Sequence, residues 1–576
     1  MIFFKKKEIS YKGYSVPDDE SGRISLSNHL TVMFLMIISG QLLSSAFPPL
    51  NWELLAFVAV APLIVQSIRN RVSWRLFFYG YLWSMSWSFS AFFWLREINP
   101  FIPFGISAVI GLWGGAFALL VSFIRHWCMI PENVLLKDYR SREEYGLGWY
   151  KKLFFAVLCG ALFVMLEFIR IRMFPWNFIG VTQYKMLWLI QIVRFSGIYG
   201  VSFLIVAVNS ILAMLWMECS AKMRGRKNSM HSALIVTGVF VIIIFLCCIY
   251  GYFNVRWQEE NYLKGRKIRV GLVQGDISQR RESTPERAQE ALDVYLSLSY
   301  KLADMQPQII IWPETAVPYP YYGGHYVSAN YRSGVFKLMT ERKIPLLAGS
   351  LDFVKTGRDR YELTNSALLF NINGFVKNKY AKINRVPFGE FVPFREFMSD
   401  DVAEIFGMGR DLVAGNDPSP LEILPGVRAG MAICYESIFA SLARAEANLG
   451  ANLIIAVNND AWYPESSEPE QHVANAVFRM IENGLPSVRS GNNGASVVIL
   501  PSGRISWSMS GHLLNRERNI GVAEVFVKDK VSKTFYTLYG DCFLLILFIV
   551  GTVAVIYGFY QYFSVLYALR KTTKEV

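Results

Sequence analysis

The chain is poor in the residues that most often staple or metallate a protein: its 576 residues hold seven cysteines and six histidines. The histidines are scattered without paired-ligand spacing, which argues against a metal site. Cys159, Cys247 and Cys248 fall inside long apolar runs, Cys542 opens another, and Cys128 and Cys219 flank them. Such a set defines no disulfide framework. Internal repeats and low-complexity segments are also missing, which excludes solenoid and largely disordered architectures. Residues 1–23 are basic but are not followed by a short apolar core with a small-residue cleavage site, so they do not read as a cleavable signal.

What the chain has is apolar length. It is 53% hydrophobic, with a mean hydropathy of +0.29. Eight runs are long enough, or nearly so, to cross a bilayer as helices: 30–47, 52–68, 76–94, 104–124, 153–171, 197–217, 233–253 and 542–563. The second is short enough to be re-entrant instead. These runs divide the chain into a tail (1–29), a seven-helix membrane domain (30–253), a polar block of globular composition (265–540), a last span (542–563) and a second tail (564–576). Lys and Arg concentrate before the first span and after the second, fourth, sixth and eighth; the alternate loops hold little more than Arg96, Lys185 and Arg194. The asymmetry predicts cytoplasmic termini and a polar block on the outer face of the membrane. Most of the net charge of +13 is therefore topology signal with some attraction to anionic lipid, and nucleic-acid binding is not implied.

Within the polar block, strands are expected at 267–273, 308–312, 344–348, 428–433, 452–457 and 495–500. A hairpin is expected at 365–371 and 374–380, turning at Asn373-Gly374. Helices are expected at 285–305, opened by Ser283-Thr284-Pro285, and at 441–449 and 470–483. Alternating strands and helices predict an α/β sandwich. Two aromatic stretches, 317–331 and 391–412, fit neither pattern; they are expected to be arms over a crevice, entering the lipid with Phe394, Phe397, Phe406 and Met408.

Three residues in this block carry chemistry. Glu314 follows IIIWP, Lys382 follows NKYA, and Cys434 follows AGMAI and is the one cysteine well inside the block. Singly, each has a plain structural reading: a strand-end carboxylate, an edge lysine, a small buried hydrophobe. Together at strand ends of one α/β domain they converge on a crevice, where a base, an oxyanion stabiliser and a thiol can form an acyl-thioester. A lysine nearby is expected to lower the thiol pKa, and a backbone N–H near Tyr435 to share the oxyanion.

The motifs WPE (312–314), YAK (380–382) and CYE (434–436) resemble the nitrilase superfamily. FPPLNW (47–52), Glu167 with Arg170, PWNFIGVTQ (175–183), GVSF (200–203), VPFGEFVP (386–393), NNDAW (458–462), Glu470-Gln471-His472, Arg479, Arg489, Asn492, Gly494 and Tyr539-Gly540-Asp541 extend the likeness to the apolipoprotein N-acyltransferase family. That resemblance implies a polytopic α-helical membrane domain plus a nitrilase-type αββα sandwich. It also implies Glu314 as base, Lys382 as oxyanion stabiliser, Cys434 as nucleophile, and supporting roles for Glu390, Tyr435 and Glu436. The implied substrates are a glycerophospholipid donor and a diacylated apolipoprotein acceptor, with no cofactor, on a monomeric enzyme. The pattern departs from the family at Asn384-Arg385, which replace a usual His-Leu, and at Leu485, where an Arg is common; the departures bear on lid or headgroup contacts and not on the triad. Glu167 and Arg170 read equally as an i,i+3 ion pair or as headgroup ligands. Two competing functions remain at this point: a membrane-anchored amidase using the same triad with water, and a transporter with an inert outer domain.

Overall fold

The computed structural model describes residues 26–70, 72–129, 148–223, 230–278, 284–356, 361–393, 395, 411–463 and 465–572. Its first half is helical: α1 (Leu26–Ala46), α2 (Ala61–Arg69), α3 (Trp74–Ala91), α4 (Ile102–Met129), α5 (Trp149–Ile171), the short α6 (Leu187–Ile190) and α7 (Val193–Ser196), α8 (Tyr199–Met223) and α9 (Met230–Tyr262). Among the described residues six helices are long and apolar enough to cross a membrane: α1, α4, α5, α8, α9 and the C-terminal helix Cys542–Thr572.

Two of the eight expected spans are not in that set. Run 52–68 is broken into a 3₁₀ turn, Glu53–Phe57, and the nine-residue α2, which opens with Pro62. At 1.5 Å per residue α2 rises about 13 Å, well under the ~30 Å of a hydrocarbon core. Side chains satisfy the backbone that the break frees. Asn209 Oδ1 on α8 accepts from Val60 and Ala61 N–H at 2.8 and 2.9 Å, and its Nδ2 donates to Ala56 O at 2.9 Å. Ser39 and Trp83 both donate to Ala59 O. Irregular backbone is tolerated at membrane depth where protein supplies such partners. The other exception, α3, has 18 residues, but Ser84, Ser86, Ser88 and Ser90 keep it less apolar than the six. It packs on α4 through Gly80 and Gly114; a Cβ on either would meet the other's carbonyl oxygen within 2.3 Å.

The second half is the expected sandwich. In chain order it runs β1 (Arg266–Gln274), α10 (Pro285–Ala303), β2 (Ile309–Val317), α11 (Tyr326–Arg342), β3 (Leu346–Lys355), β4 (Tyr361–Phe370) and β5 (Val376–Ala381). It continues with β6 (Leu421–Leu424), β7 (Val427–Ile433), α12 (Ala440–Asn448), β8 (Leu453–Asn458), α13 (Glu468–Asn483), β9 (Ser487–Gly491), β10 (Val497–Ile499), β11 (Ile505–Ser508), β12 (Asn519–Val527), α14 (Phe535–Tyr539) and α15 (Cys542–Thr572). Two six-stranded sheets have the orders β12-β1-β2-β3-β4-β5 and β11-β10-β9-β8-β7-β6. Each has a parallel centre, β1-β2-β3 and β7-β8-β9, flanked by antiparallel strands. Ile268, Val270, Ile309 and Leu347 of one sheet meet Met431, Ile433, Ile455 and Val457 of the other in a shared core. α10 and α11 cover the outside of the first sheet. α12 and α13 cover the second, and there the core is continuous with that of the membrane helices.

The stretch 317–331 is not an arm along its whole length: α11 begins at Tyr326, and Val327 and Tyr331 are fully buried in the outer core. Tyr321 and Tyr331 pack in that core, while Tyr322 and Tyr326 are exposed. In the second stretch, Phe394, Phe397, Phe406 and Met408 lie outside the described residues. β6, β9, β11 and β12 add four strands to those expected.

Candidate active site

The ends of β2 and β5 in one sheet and of β7 in the other bring the three predicted residues together. Glu314 lies near the end of β2, Lys382 one residue past β5, and Cys434 one residue past β7. Lys382 Nζ is 3.3 Å from Glu314 Oε1 and 3.0 Å from Glu390 Oε1, and all three side chains are buried. Asn365 on β4 bridges the two carboxylates, donating to Glu314 at 2.8 Å and Glu390 at 2.9 Å. Burial works against the ammonium of Lys382, but Glu390, Glu314 and the Cys434 sulfur outweigh it and hold its pKa above the ordinary amine value. The lysine is a fixed cation.

Backbone geometry aims the pieces. Cys434 has φ +53°, in the left-handed region that costs an L-residue about 1–2 kcal/mol. The turn from β7 into the one-turn helix Cys434–Ile438 thereby lifts the thiol out of the sheet. Thr315, next to Glu314, also has positive φ, at +45°. The chain at Glu314 passes so close to β3 that a Cβ on Gly349 would lie 2.3 Å from Pro313 O and 2.6 Å from Glu314 Cα. Only glycine allows that approach.

The supporting residues have separable tasks. Glu390 accepts from Lys382, Asn365 and Val386 N–H, closing the loop after β5 onto the lysine. Glu436 receives Tyr380 O–H at 3.0 Å and the amides of Ile383, Asn384 and Ile433 at 2.7, 2.8 and 2.9 Å. One carboxylate thus ties the cysteine turn to the lysine loop. Burial lifts Glu436 to about 7, while Lys382 and those amides pull the other way. Tyr435 is buried and lies against Trp176 of the membrane domain, with ring centroids 6.1 Å apart and planes 10° from parallel.

The thiol differs from expectation. Burial and the Glu314 carboxylate push Cys434 well above the ordinary thiol value, and Lys382 only partly offsets them. Those effects favour the protonated thiol, with the Glu314 carboxylate close enough to act on it. Asn384 spends its amide on Glu436; Arg385 donates to Leu412 O at 2.7 Å and covers the Phe391 ring; Leu485 is buried. Glu167 and Arg170 hold a loop: Glu167 accepts from Ile179 N–H at 2.7 Å, and Arg170 donates to Phe174, Trp176 and Asn177 carbonyls.

The reading of the sequence gave no role to Asn365, Tyr380, Asp460 or Gln471. Tyr380, Asp460 and Gln471 fall in the family-like motifs, but nothing local assigns any of the four a task, because each acts through partners distant in the chain. Gln471 receives Trp94, Trp176 and Asn177 side-chain N–H groups and donates to Pro48 and Ala91 carbonyls. Among the described residues one set of ligand-type side chains is close enough to share an ion: Asp460, Glu468 and His472. The Arg489 guanidinium stands 2.7 Å from Asp460 and 3.2 Å from His472, so a cationic group already occupies that place.

A two-sheet αββα sandwich with Glu, Lys and Cys at converging strand ends is a carbon–nitrogen hydrolase domain, and residues 269–520 match the family described as Carbon-nitrogen hydrolase. Residues 39–211 match the Apolipoprotein N-acyltransferase N-terminal domain. The chain is 30% identical over 523 residues to an apolipoprotein N-acyltransferase of Geobacter metallireducens, covering 88% of this chain and 92% of that one. A relative of the same name from Gloeobacter violaceus is 27% identical, covering 88% and 90%. An amidase from Nesterenkonia sp. superposes on 46% of this chain and 93% of its own, with a TM-score of 0.32 at 18% identity. The chain belongs to the apolipoprotein N-acyltransferase family.

Proposed function

We propose that this enzyme moves an acyl chain from a glycerophospholipid to Cys434, and then to the α-amine of a diacylglyceryl-cysteine at a lipoprotein N-terminus. Glu314 takes the thiol proton, and the sulfur attacks the ester carbonyl. The oxyanion forms between Lys382 Nζ and the Tyr435 N–H. Collapse breaks the C–O bond to glycerol, and the leaving alkoxide recovers its proton from Glu314. In the second half the amine attacks the thioester, forming C–N and breaking C–S. Glu314 accepts the amine proton and returns it to the sulfur. The cycle is ping-pong and conserves every proton, and thioester aminolysis is favourable, so no energy-rich co-substrate is required.

One observation carries the reading. Tyr435, adjacent to the nucleophile, stacks on Trp176 of the membrane domain, so the thiol sits at the junction that lipid acyl chains and a lipid-anchored amine can both reach. The arrangement fits a monomer in a bacterial inner membrane with residues 265–540 on the periplasmic side. In the test, purified enzyme receives labelled phospholipid and a diacylglyceryl-cysteine peptide. Cys434→Ala is expected to abolish transfer, and Lys382→Ala to slow loading by about 10²–10³, as for removal of one oxyanion donor. Failure of phospholipid to load Cys434, with hydrolysis of an amide instead, would turn the reading into a membrane-anchored amidase.

A further inference from the structure

His472 lies on α13, behind the cysteine turn, and is fully buried. Its Nε2 is 3.0 Å from Cys434 O and 2.8 Å from Ser437 Oγ. A carbonyl oxygen only accepts, so Nε2 carries the hydrogen and donates to it. Nδ1 faces Glu468 Oε1 at 3.2 Å, Asp460 Oδ1 at 3.5 Å and Arg489 Nη2 at 3.2 Å. Arg489 is itself fixed on Asp460 and on Ala495 O. The imidazole is therefore held from α13, β9 and the turn after β8, with no freedom to rotate.

Cys434 O belongs to the peptide whose other end is the Tyr435 N–H. In a planar trans peptide the C=O and N–H point opposite ways, so fixing one direction fixes the other. The peptide also follows a residue at φ +53°, a conformation that persists only where surroundings enforce it. We propose that His472 is a positioning residue: by gripping Cys434 O from behind the turn, it aims the Tyr435 N–H at the oxyanion of the thioester-forming step. The inference rests on the acyl-enzyme reading above. Burial and Arg489 oppose charge on the ring, while Asp460 and Glu468 favour it and hold its pKa above the ordinary histidine value.

The test separates oxyanion alignment from general damage by using two reactions of the same sulfur in the full-length enzyme. Loading from labelled phospholipid passes through an oxyanion; alkylation by iodoacetamide, a displacement at saturated carbon, does not. His472→Leu is expected to slow loading about 100-fold while alkylation of Cys434 stays within about threefold. His472→Gln, whose amide N–H reaches the place of Nε2, should recover most of the loading, and His472→Asn, with the shorter side chain, should not. Equal loading by the Gln and Asn variants, or loading and alkylation falling in parallel, would overturn the proposal. Wild-type enzyme that alkylates but never loads would instead sink the acyl-enzyme reading.

Discussion

Helices α10 and α13 cover opposite faces of the same sandwich, and both repeat apolar residues at helical spacing. In α10 the apolar stripe Ala288, Ala291, Leu292, Tyr295 and Leu302 is buried, and Glu286, Glu290, Asp293 and Lys301 face outward. In α13 every residue from Glu468 to Asn483 except the half-buried Glu470 is buried, polar ones included. The difference lies in what covers the polar side. α10 meets solvent, whereas α13 meets the membrane domain: Gln471 bonds to Pro48, Ala91, Trp94, Trp176 and Asn177, Glu470 to Asn51 and Tyr184, and Glu482 to Ile198 N–H. A polar helix face is thus no evidence of exposure. Here it is the seam that couples the lipid-facing half to the catalytic half.

The contrast is broken most severely at Arg479, whose Nη2 pairs with Glu482 at 2.8 Å inside the seam. Arg479→Met strands a buried carboxylate and should cost about 3–5 kcal/mol. On α10, Glu290→Gln removes a charge held 3.8 Å from Arg518 in solvent and should stay within about 0.5 kcal/mol. Thermal melts in detergent compare the two directly.

A second test is titration. Burial lifts Glu482 from 4.5 to about 7, against the pull of Arg479. The folded protein therefore binds more protons than the unfolded chain between those values. This contribution to stability is full below pH 4.5 and is lost as pH rises through 7, on the order of 3 kcal/mol. Melts from pH 5 to 8 should show that decline, and Glu482→Gln should make it shallower, leaving the share of Glu436, which is lifted to the same value.

Gln471→Leu leaves indole and amide donors without their acceptor, at about 1–3 kcal/mol for each group left unmet. Amide exchange should quicken along α13 and stay unchanged along α10, because only the first depends on the seam. Smallest in effect is Tyr380→Phe, which removes one donor from Glu436 and loosens the tie between the lysine and cysteine loops. It should lower kcat about tenfold with little change in KM, and equal losses at both would place Tyr380 in substrate binding instead.

The same contrast explains what was legible in the sequence. Glu314 and Cys434 stood out because each closes or follows an apolar strand, and Lys382 because it follows the second strand of a legible hairpin. The hairpin at Asn373-Gly374 was equally local; Gly374 has φ +81° and donates to Asn371 O. The break in run 52–68 was hidden, because Asn209, some 150 residues away, caps it. β9 was hidden for the same reason, since Arg489 reads as a poor strand-core residue until Asp460 and His472 stand beside it. Local patterns picked out Glu314, Lys382 and Cys434, while many of the contacts that brace them, such as those of Asn365, Tyr380 and Glu436, span tens of residues.

The central claim is a covalent acyl-enzyme at Cys434 on a chain whose two halves act as one site. Peptide mass spectrometry of the Cys434 segment, after incubation with phospholipid alone, tests it most directly. The account predicts the thiol plus one acyl group, released by hydroxylamine and by addition of the lipoprotein amine. An unmodified Cys434 together with wild-type transfer by the Cys434→Ala enzyme would contradict it.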